Sequence, residues 1–151
     1  TLLLDAIAIA KKRGVVWNWL VIGNGPTEQG LKAQAGRLGI AQQVHFMGYK
    51  AQSEVHRWLS VADVFVLTSF YESFSIATLE AMAHRLPVVS TNVGYLEKLI
   101  GDSRGGLLVP PNKPDALADA PAEAVTERRV DRRCVLTTTR RRAPCNTTAL
   151  W

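Results

Sequence analysis

The chain has 151 residues, 47% hydrophobic and 21% charged, with a formal net charge of +5. That balance is ordinary for a globular domain, and no apolar run approaches the roughly 20 residues a membrane-spanning helix needs. Residues 1–125 hold 11 Lys and Arg against 11 Asp and Glu, so the surplus lies wholly in residues 126–151; a basic face built into a fold would be spread over its elements, and no nucleic-acid partner is expected.

In chain order, Leu2 to Arg13 carries a helical stripe of Leu3, Leu4, Ile7, Ala8 and Ala10. Lys11-Lys12-Arg13 and Gly14 suit its C-terminus, as cations against the dipole and a left-handed cap. Val15 to Ile22 reads as a buried strand in which Trp17 and Trp19 pack, broken by Gly23-Asn24-Gly25-Pro26. Thr27 is placed to cap a helix to about Leu38, closed by Gly39. A short strand from Gln43 to Met47 and a helix from Ser53 to Ser60 follow. Asp63 to Thr68 is the next strand, and a helix runs from about Ser75 to His84. Leu86 to Ser90 is a strand, Gly94 to Ile100 a short helix, Gly106 to Val109 a last strand, and Ala116-Leu117-Ala118 is helical. Strands alternating with helices predict an α/β fold: a Rossmann-like parallel sheet with helices on both faces.

After about Ala120 the pattern dissolves into arginine pairs, a threonine run and Pro144. Residues 1–125 are therefore read as the domain and 126–151 as a basic tail. Three readings of the tail stand: a segment binding acidic lipid or nucleic acid, an unstructured end, or the product of out-of-frame reading. Both cysteines, Cys134 and Cys145, lie in it without metal-ligand spacing, and Asn146-Thr147-Thr148 is taken as a chance glycosylation acceptor. Thr1-Leu2-Leu3-Leu4 is followed at once by Asp5 with no basic segment before it; no signal peptide is read and a cytoplasmic location is expected.

The chemistry concentrates in Ala62-Asp63-Val64-Phe65-Val66-Leu67-Thr68-Ser69-Phe70-Tyr71-Glu72-Ser73-Phe74-Ser75-Ile76-Ala77-Thr78-Leu79-Glu80-Ala81-Met82-Ala83. This is strand, loop and helix, with the loop at the carboxyl end of a parallel strand, where open α/β sheets bind ligands. The helix start near Ser75 offers free N–H groups and a positive dipole end suited to a diphosphate. Glu72 and Glu80 bracket that start. On one continuous helix they would differ by about 80° in direction, so they converge only because Glu72 precedes the helix. Ionised carboxylates accept hydrogen bonds from sugar or ribose hydroxyls. On these residues alone a second reading stays open, with Glu72 a solvated loop side chain and Glu80 paired to a lysine.

The block resembles the donor-site signature of family 4 retaining glycosyltransferases, whose two glutamates are separated by seven residues as Glu72 and Glu80 are. Pro87-Val88-Val89-Ser90-Thr91, Gly94, Glu97, Gly106 to Pro111, Val21-Ile22-Gly23-Asn24-Gly25-Pro26 and Phe46-Met47-Gly48-Tyr49 continue the likeness over roughly residues 1–120. The resemblance implies one half of a GT-B enzyme, the C-terminal, donor-binding one, moving a hexose from a UDP-, GDP- or ADP-sugar with retention. Glu80 would hold the ribose hydroxyls, and Glu72, the candidate catalytic residue, hydroxyls of the transferred sugar. Backbone at Ser73, Phe74, Ser75 and Ile76, with Leu79, would line the donor, and Gly23 and Gly25 would let a loop approach it. No metal and no cofactor besides the donor is implied. A glycan or lipid acceptor would engage an N-terminal domain preceding this chain, and the expected enzyme is cytoplasmic or peripheral at the inner face of the membrane, in polysaccharide biosynthesis. Taken alone, the chain is expected to be inactive.

The sequence departs from the family at Ser73 and Ser75, where glycine is usual, at His84 or Arg85, and again at Tyr95. The cations that neutralise the family's diphosphate would precede Thr1. His45, His56 and His84 share no spacing that suggests a site. Two rival functions remain at this level: another GT-B nucleotide-sugar enzyme such as an epimerase, and a non-catalytic nucleotide-binding or interaction module.

Overall fold

The computed structural model describes residues 1–101, 105–127 and, as backbone, 134–138. Among them twelve elements follow one another: α1 (Leu2–Lys12), β1 (Asn18–Ile22), α2 (Glu28–Arg37), β2 (Val44–Gly48), α3 (Gln52–Val61), β3 (Val64–Leu67), α4 (Ile76–Ala83), β4 (Val88–Thr91), α5 (Leu96–Gly101), β5 (Gly106–Val109), α6 (Pro114–Glu127) and β6 (Cys134–Thr138). The local chemistry explains most boundaries. Lys11 and Lys12 fill the last turn of α1, and Gly14 takes the left-handed conformation, φ +80°, that stops it. Thr27 sits at the N-cap of α2 without a side-chain cap hydrogen bond; the turn before the helix is closed by the Glu28 N–H on the Gly25 carbonyl at 3.1 Å.

The six strands form one sheet in the order β2-β1-β6-β3-β4-β5, and every ladder is parallel. The predicted parallel sheet with helices on both faces is what the chain adopts. Alternation along β3 divides the interior. Val64 and Val66 join a core with Leu4 and Ile7 of α1, Ala35 of α2 and Leu117 of α6. Phe65 and Leu67 join the opposite core with Val55 and Leu59 of α3, Ala77 and Ala81 of α4, and Leu96 and Ile100 of α5. Trp17 and Trp19 are buried in the first core, as their packing role predicts.

Two findings correct the reading of the C-terminal part. First, α6, read in the sequence only as Ala116-Leu117-Ala118, runs from Pro114 through Pro121 to Glu127. Proline inside a helix forfeits a backbone bond, yet Leu117, Ala118, Ala120, Ala124 and Val125 are all buried in the first core. Their spacing continues the helical stripe beyond the proline, against α1. Arg13 clamps the same pair of helices, with Nη1 donating to Asp119 at 2.7 Å and Nη2 to Asp115 at 2.8 Å. Second, residues 134–138, assigned to the tail, form a strand that pairs with β1 from Asn18↔Cys134 to Ile22↔Thr138 and with β3 from Val64↔Val135 to Val66↔Thr137. A central parallel strand needs only a few residues of high β propensity, and Cys-Val-Leu-Thr-Thr supplies them between arginine clusters that hide the pattern. The rest of the tail, including Cys145 and Asn146, lies outside the described residues.

The position of β6 sets the site. Connections run outward from it in both directions, through β1 to β2 on one side and β3 to β5 on the other. This is the reversal of strand order beside which open α/β sheets bind ligands, at the carboxyl ends of the strands.

At the far end of α4, Arg85 has φ +60°. The family glycine at His84 or Arg85 thus corresponds to Arg85, since a side chain there strains the backbone. Arg85→Gly is expected to raise unfolding stability by about 1 kcal/mol, read as a higher urea midpoint at unchanged slope; a lower midpoint would contradict the assignment of strain.

Candidate functional site

The loop from Thr68 to Ser75 joins β3 to α4 at the carboxyl edge of the sheet. Ser75 is the N-cap: Thr78 donates its backbone N–H to Ser75 Oγ at 3.3 Å and its hydroxyl to the same oxygen at 3.0 Å. The first-turn N–H groups that this cap does not take have no carbonyl one turn back, and they carry the positive end of the dipole. Ser75, where the family commonly has glycine, therefore secures α4 by its side chain. Ser75→Ala should cost about 1 kcal/mol and Ser75→Gly only a few tenths, a ranking that thermal unfolding of the two variants resolves.

Glu72 is 1% exposed, which rules out its reading as a solvated loop side chain. Glu80, in the second turn of α4, pairs with no lysine; its Oε1 accepts from Gln52 Nε2 of α3 at 3.2 Å. Its Oε2 is buried without a hydrogen-bond partner among the described residues. A buried acceptor left in that state is costly, and it is the acceptor a ligand hydroxyl would satisfy. Ser73 and Phe74 are exposed in the loop, Ile76 is exposed at the first turn, and Leu79 is half-buried beside Glu80.

A second loop, residues 92–95 after β4, is fastened to the first. Thr91 Oγ1 donates to the Ser69 carbonyl at 2.6 Å. Gly94, at φ +59°, lies so close to Glu72 that a Cβ on it would stand 1.7 Å from the Glu72 carbonyl oxygen. The rings of Phe74 and Tyr95 then meet, with centroids 5.9 Å apart.

Gly23 and Gly25 lie after β1. Gly23 N–H donates to the Gly48 carbonyl at 2.9 Å, and Gly25 lines a cavity of about 370 Å³ with Glu28, Gln29 and Lys32. Lys32 Nζ is 2.7 Å from Glu28 Oε1. β1 and β3 are separated by β6 alone, so the strands that carry the two loops lie about 10 Å apart, two strand spacings. The structure thus unites Glu72, Ser73, Phe74, Ser75, Ile76, Leu79 and Glu80 around one helix start, and sets Gly23 and Gly25 on the opposite flank of β6.

Sequence reasoning missed Gln52, Gly94's approach to Glu72, and the pairing of His56 with His84. His56 Nδ1 and His84 Nε2 are 2.9 Å apart, and Ser60 Oγ is 3.4 Å from His84 Nδ1. The available signal was the four-residue step shared by Gln52, His56 and Ser60 on α3 and by Glu80 and His84 on α4, which lets two adjacent helices align polar partners. Among the described residues no group of three His, Cys, Asp or Glu is placed to hold a metal ion, and no helix is long and apolar enough to cross a membrane.

A doubly wound parallel sheet with a capped helix start at its carboxyl edge defines a Rossmann-like α/β domain. The family model described as glycosyl transferases group 1 matches residues 1–141, and the chain belongs to that family. The alpha-D-kanosaminyltransferase of Streptomyces kanamyceticus is 32% identical over 117 residues, 78% of this chain and 30% of that protein. The D-inositol 3-phosphate glycosyltransferase of Streptomyces griseus is 40% identical over 92 residues, 61% of this chain and 20% of that protein. The crystal structure of Anabaena Alr3699/HepE in complex with UDP superposes with a TM-score of 0.70 at 28% identity, over 84% of this chain and 35% of that one. The fold is the Rossmann-like half of the GT-B architecture, and the chain spans about a third or less of the length of these relatives.

Proposed function

We propose that this chain is the donor-binding part of a glycosyltransferase that moves a hexose from a nucleoside-diphosphate sugar to a glycan or lipid acceptor, with retention of anomeric configuration. The observation that carries the reading is Glu80: one oxygen is held by Gln52 and the other is buried without a hydrogen-bond partner among the described residues, in the second turn of the helix that presents its N-terminus to the ligand. In this reading Glu80 accepts the ribose hydroxyls, and the N–H groups around Phe74, Ser75 and Ile76 receive the diphosphate. Their fixed dipoles stabilise the charge that develops on the leaving group, which needs no reorganisation as the bond to the sugar breaks. Glu72, in the loop between β3 and α4, takes hydroxyls of the transferred sugar. Gly23 and Gly25 bring backbone to the other side of the donor, and the acceptor is held by a further domain of the full enzyme. The UDP complex of the Anabaena relative supports a uridine donor ahead of guanosine or adenosine. No cofactor besides the donor enters the reaction.

Saturation-transfer NMR on the chain with UDP-glucose, GDP-glucose and ADP-glucose tests the reading. One donor is expected to receive saturation at both its ribose and its sugar protons and to be displaced by its own nucleoside diphosphate. Saturation of none of the three would contradict it.

A further inference from the structure

All five exposed aromatic side chains among the described residues, Tyr49, Phe70, Tyr71, Phe74 and Tyr95, lie in loops that follow β2, β3 and β4. Because the sheet is parallel, these loops share one edge, the edge that holds Glu72 and Glu80. Water-exposed apolar surface gathered in this way marks a place where something binds.

Within the group, Phe74 and Tyr95 are distinguished by how they are held. They come from different loops, are 49% and 43% exposed, and meet at 5.9 Å with their planes tilted by 40°. Two contacts join the supporting loops: the Thr91 side-chain hydroxyl donates to the Ser69 carbonyl, and Gly94 seats closely against the Glu72 backbone. The pair is therefore pre-set, and a ligand meeting it need not order it first. Lys98 Nζ lies 5.9 Å from the centre of the Tyr95 ring, a further restraint on that side chain.

A hexopyranose presents a rim of hydroxyls and faces of C–H groups. Carboxylates and N–H groups satisfy the rim, whereas a C–H face pairs with the negative face of an aromatic ring. Glu72 supplies the first kind of partner. The Phe74–Tyr95 pair, next to it and beside the start of α4, supplies the second. We propose that Phe74 and Tyr95 form a stacking subsite for the pyranose ring of the donor, adding affinity for the sugar-bearing nucleotide over the bare diphosphate. This rests on the donor-site reading above.

Calorimetry separates the two. The wild-type chain, Tyr95→Ala, Tyr95→Phe and Phe74→Leu are titrated with UDP, GDP and ADP and with the glucose ester of each. For the nucleotide that binds, the wild type is expected to prefer the glucose ester, and Tyr95→Ala to lose about three- to tenfold in ester affinity with the diphosphate affinity unchanged. Tyr95→Phe keeps the preference, and Phe74→Leu reduces it. Diphosphate binding with an ester-to-diphosphate ratio unmoved by Tyr95→Ala overturns the subsite alone, and so does an equal loss for both ligands, which would make Tyr95 a general prop for the loop. Binding of none of the six ligands to the wild type overturns the donor site and the subsite with it.

Discussion

Gly94→Ala is expected to lower unfolding stability by about 2–4 kcal/mol and to abolish donor binding together with it. Two costs combine. At φ +59° any Cβ strains the backbone, and here the added carbon would stand 1.7 Å from the Glu72 carbonyl oxygen. No side chain can rotate away to relieve an overlap with backbone, so the loop of residues 92–95 must lift from the Glu72 turn. Glu72, Phe74 and Tyr95 then lose their mutual positions although none has been changed. Urea unfolding followed by circular dichroism reads the stability loss. A Gly94→Ala variant with an unchanged midpoint would show that the two loops are not seated against each other.

Glu80→Ala is expected to weaken binding of the nucleoside diphosphate about 10- to 100-fold, the loss that follows from removing a charged acceptor of one or two hydroxyls. The fold should survive, because Glu80 contributes no large apolar surface to either core. Glu80→Gln keeps the shape and one acceptor and should fall between. Gln52→Ala leaves the carboxylate but frees its Oε1, which Gln52 holds at 3.2 Å, so the loss should be smaller, about threefold, a fraction of one hydrogen bond. If the three variants bind as the wild type does, Glu80 does not touch the nucleotide.

How much of this was legible in the residues follows from where the physics is local. Val64 to Leu67 and Val88 to Thr91 announce buried strands because each is a short run that is apolar or β-branched, and the caps at Gly14 and Ser75 are set by neighbours within a few positions. The spacing of Glu72 and Glu80 pointed to one helix start, where both are found. What was not legible depends on contacts between distant segments. The seat of Gly94 against the Glu72 backbone joins loops 22 positions apart, and the partner of Glu80 comes from α3, 28 positions earlier. The continuation of α6 beyond Pro121 is decided by the surface of α1, which outweighs a local helix-breaking signal. The same holds for Cys134 to Thr138: five residues between arginine clusters carry no visible periodicity, and only the gap between β1 and β3 makes them a strand. The pairing of His56 with His84 belongs to this class too, since neither histidine has a neighbour in sequence that announces the other.

The central claim, that the carboxyl edge around Ser75 and Glu80 holds a nucleoside diphosphate, is tested most directly by a two-dimensional amide NMR titration of the chain with UDP, GDP and ADP, in wild type and Glu80→Ala. The account predicts selective shifts at Gly23, Phe74, Ser75, Ile76 and Glu80 with one of the three, weakened in the variant. Dispersed wild-type spectra that ignore all three nucleotides, or shifts confined to residues away from that edge, would contradict it.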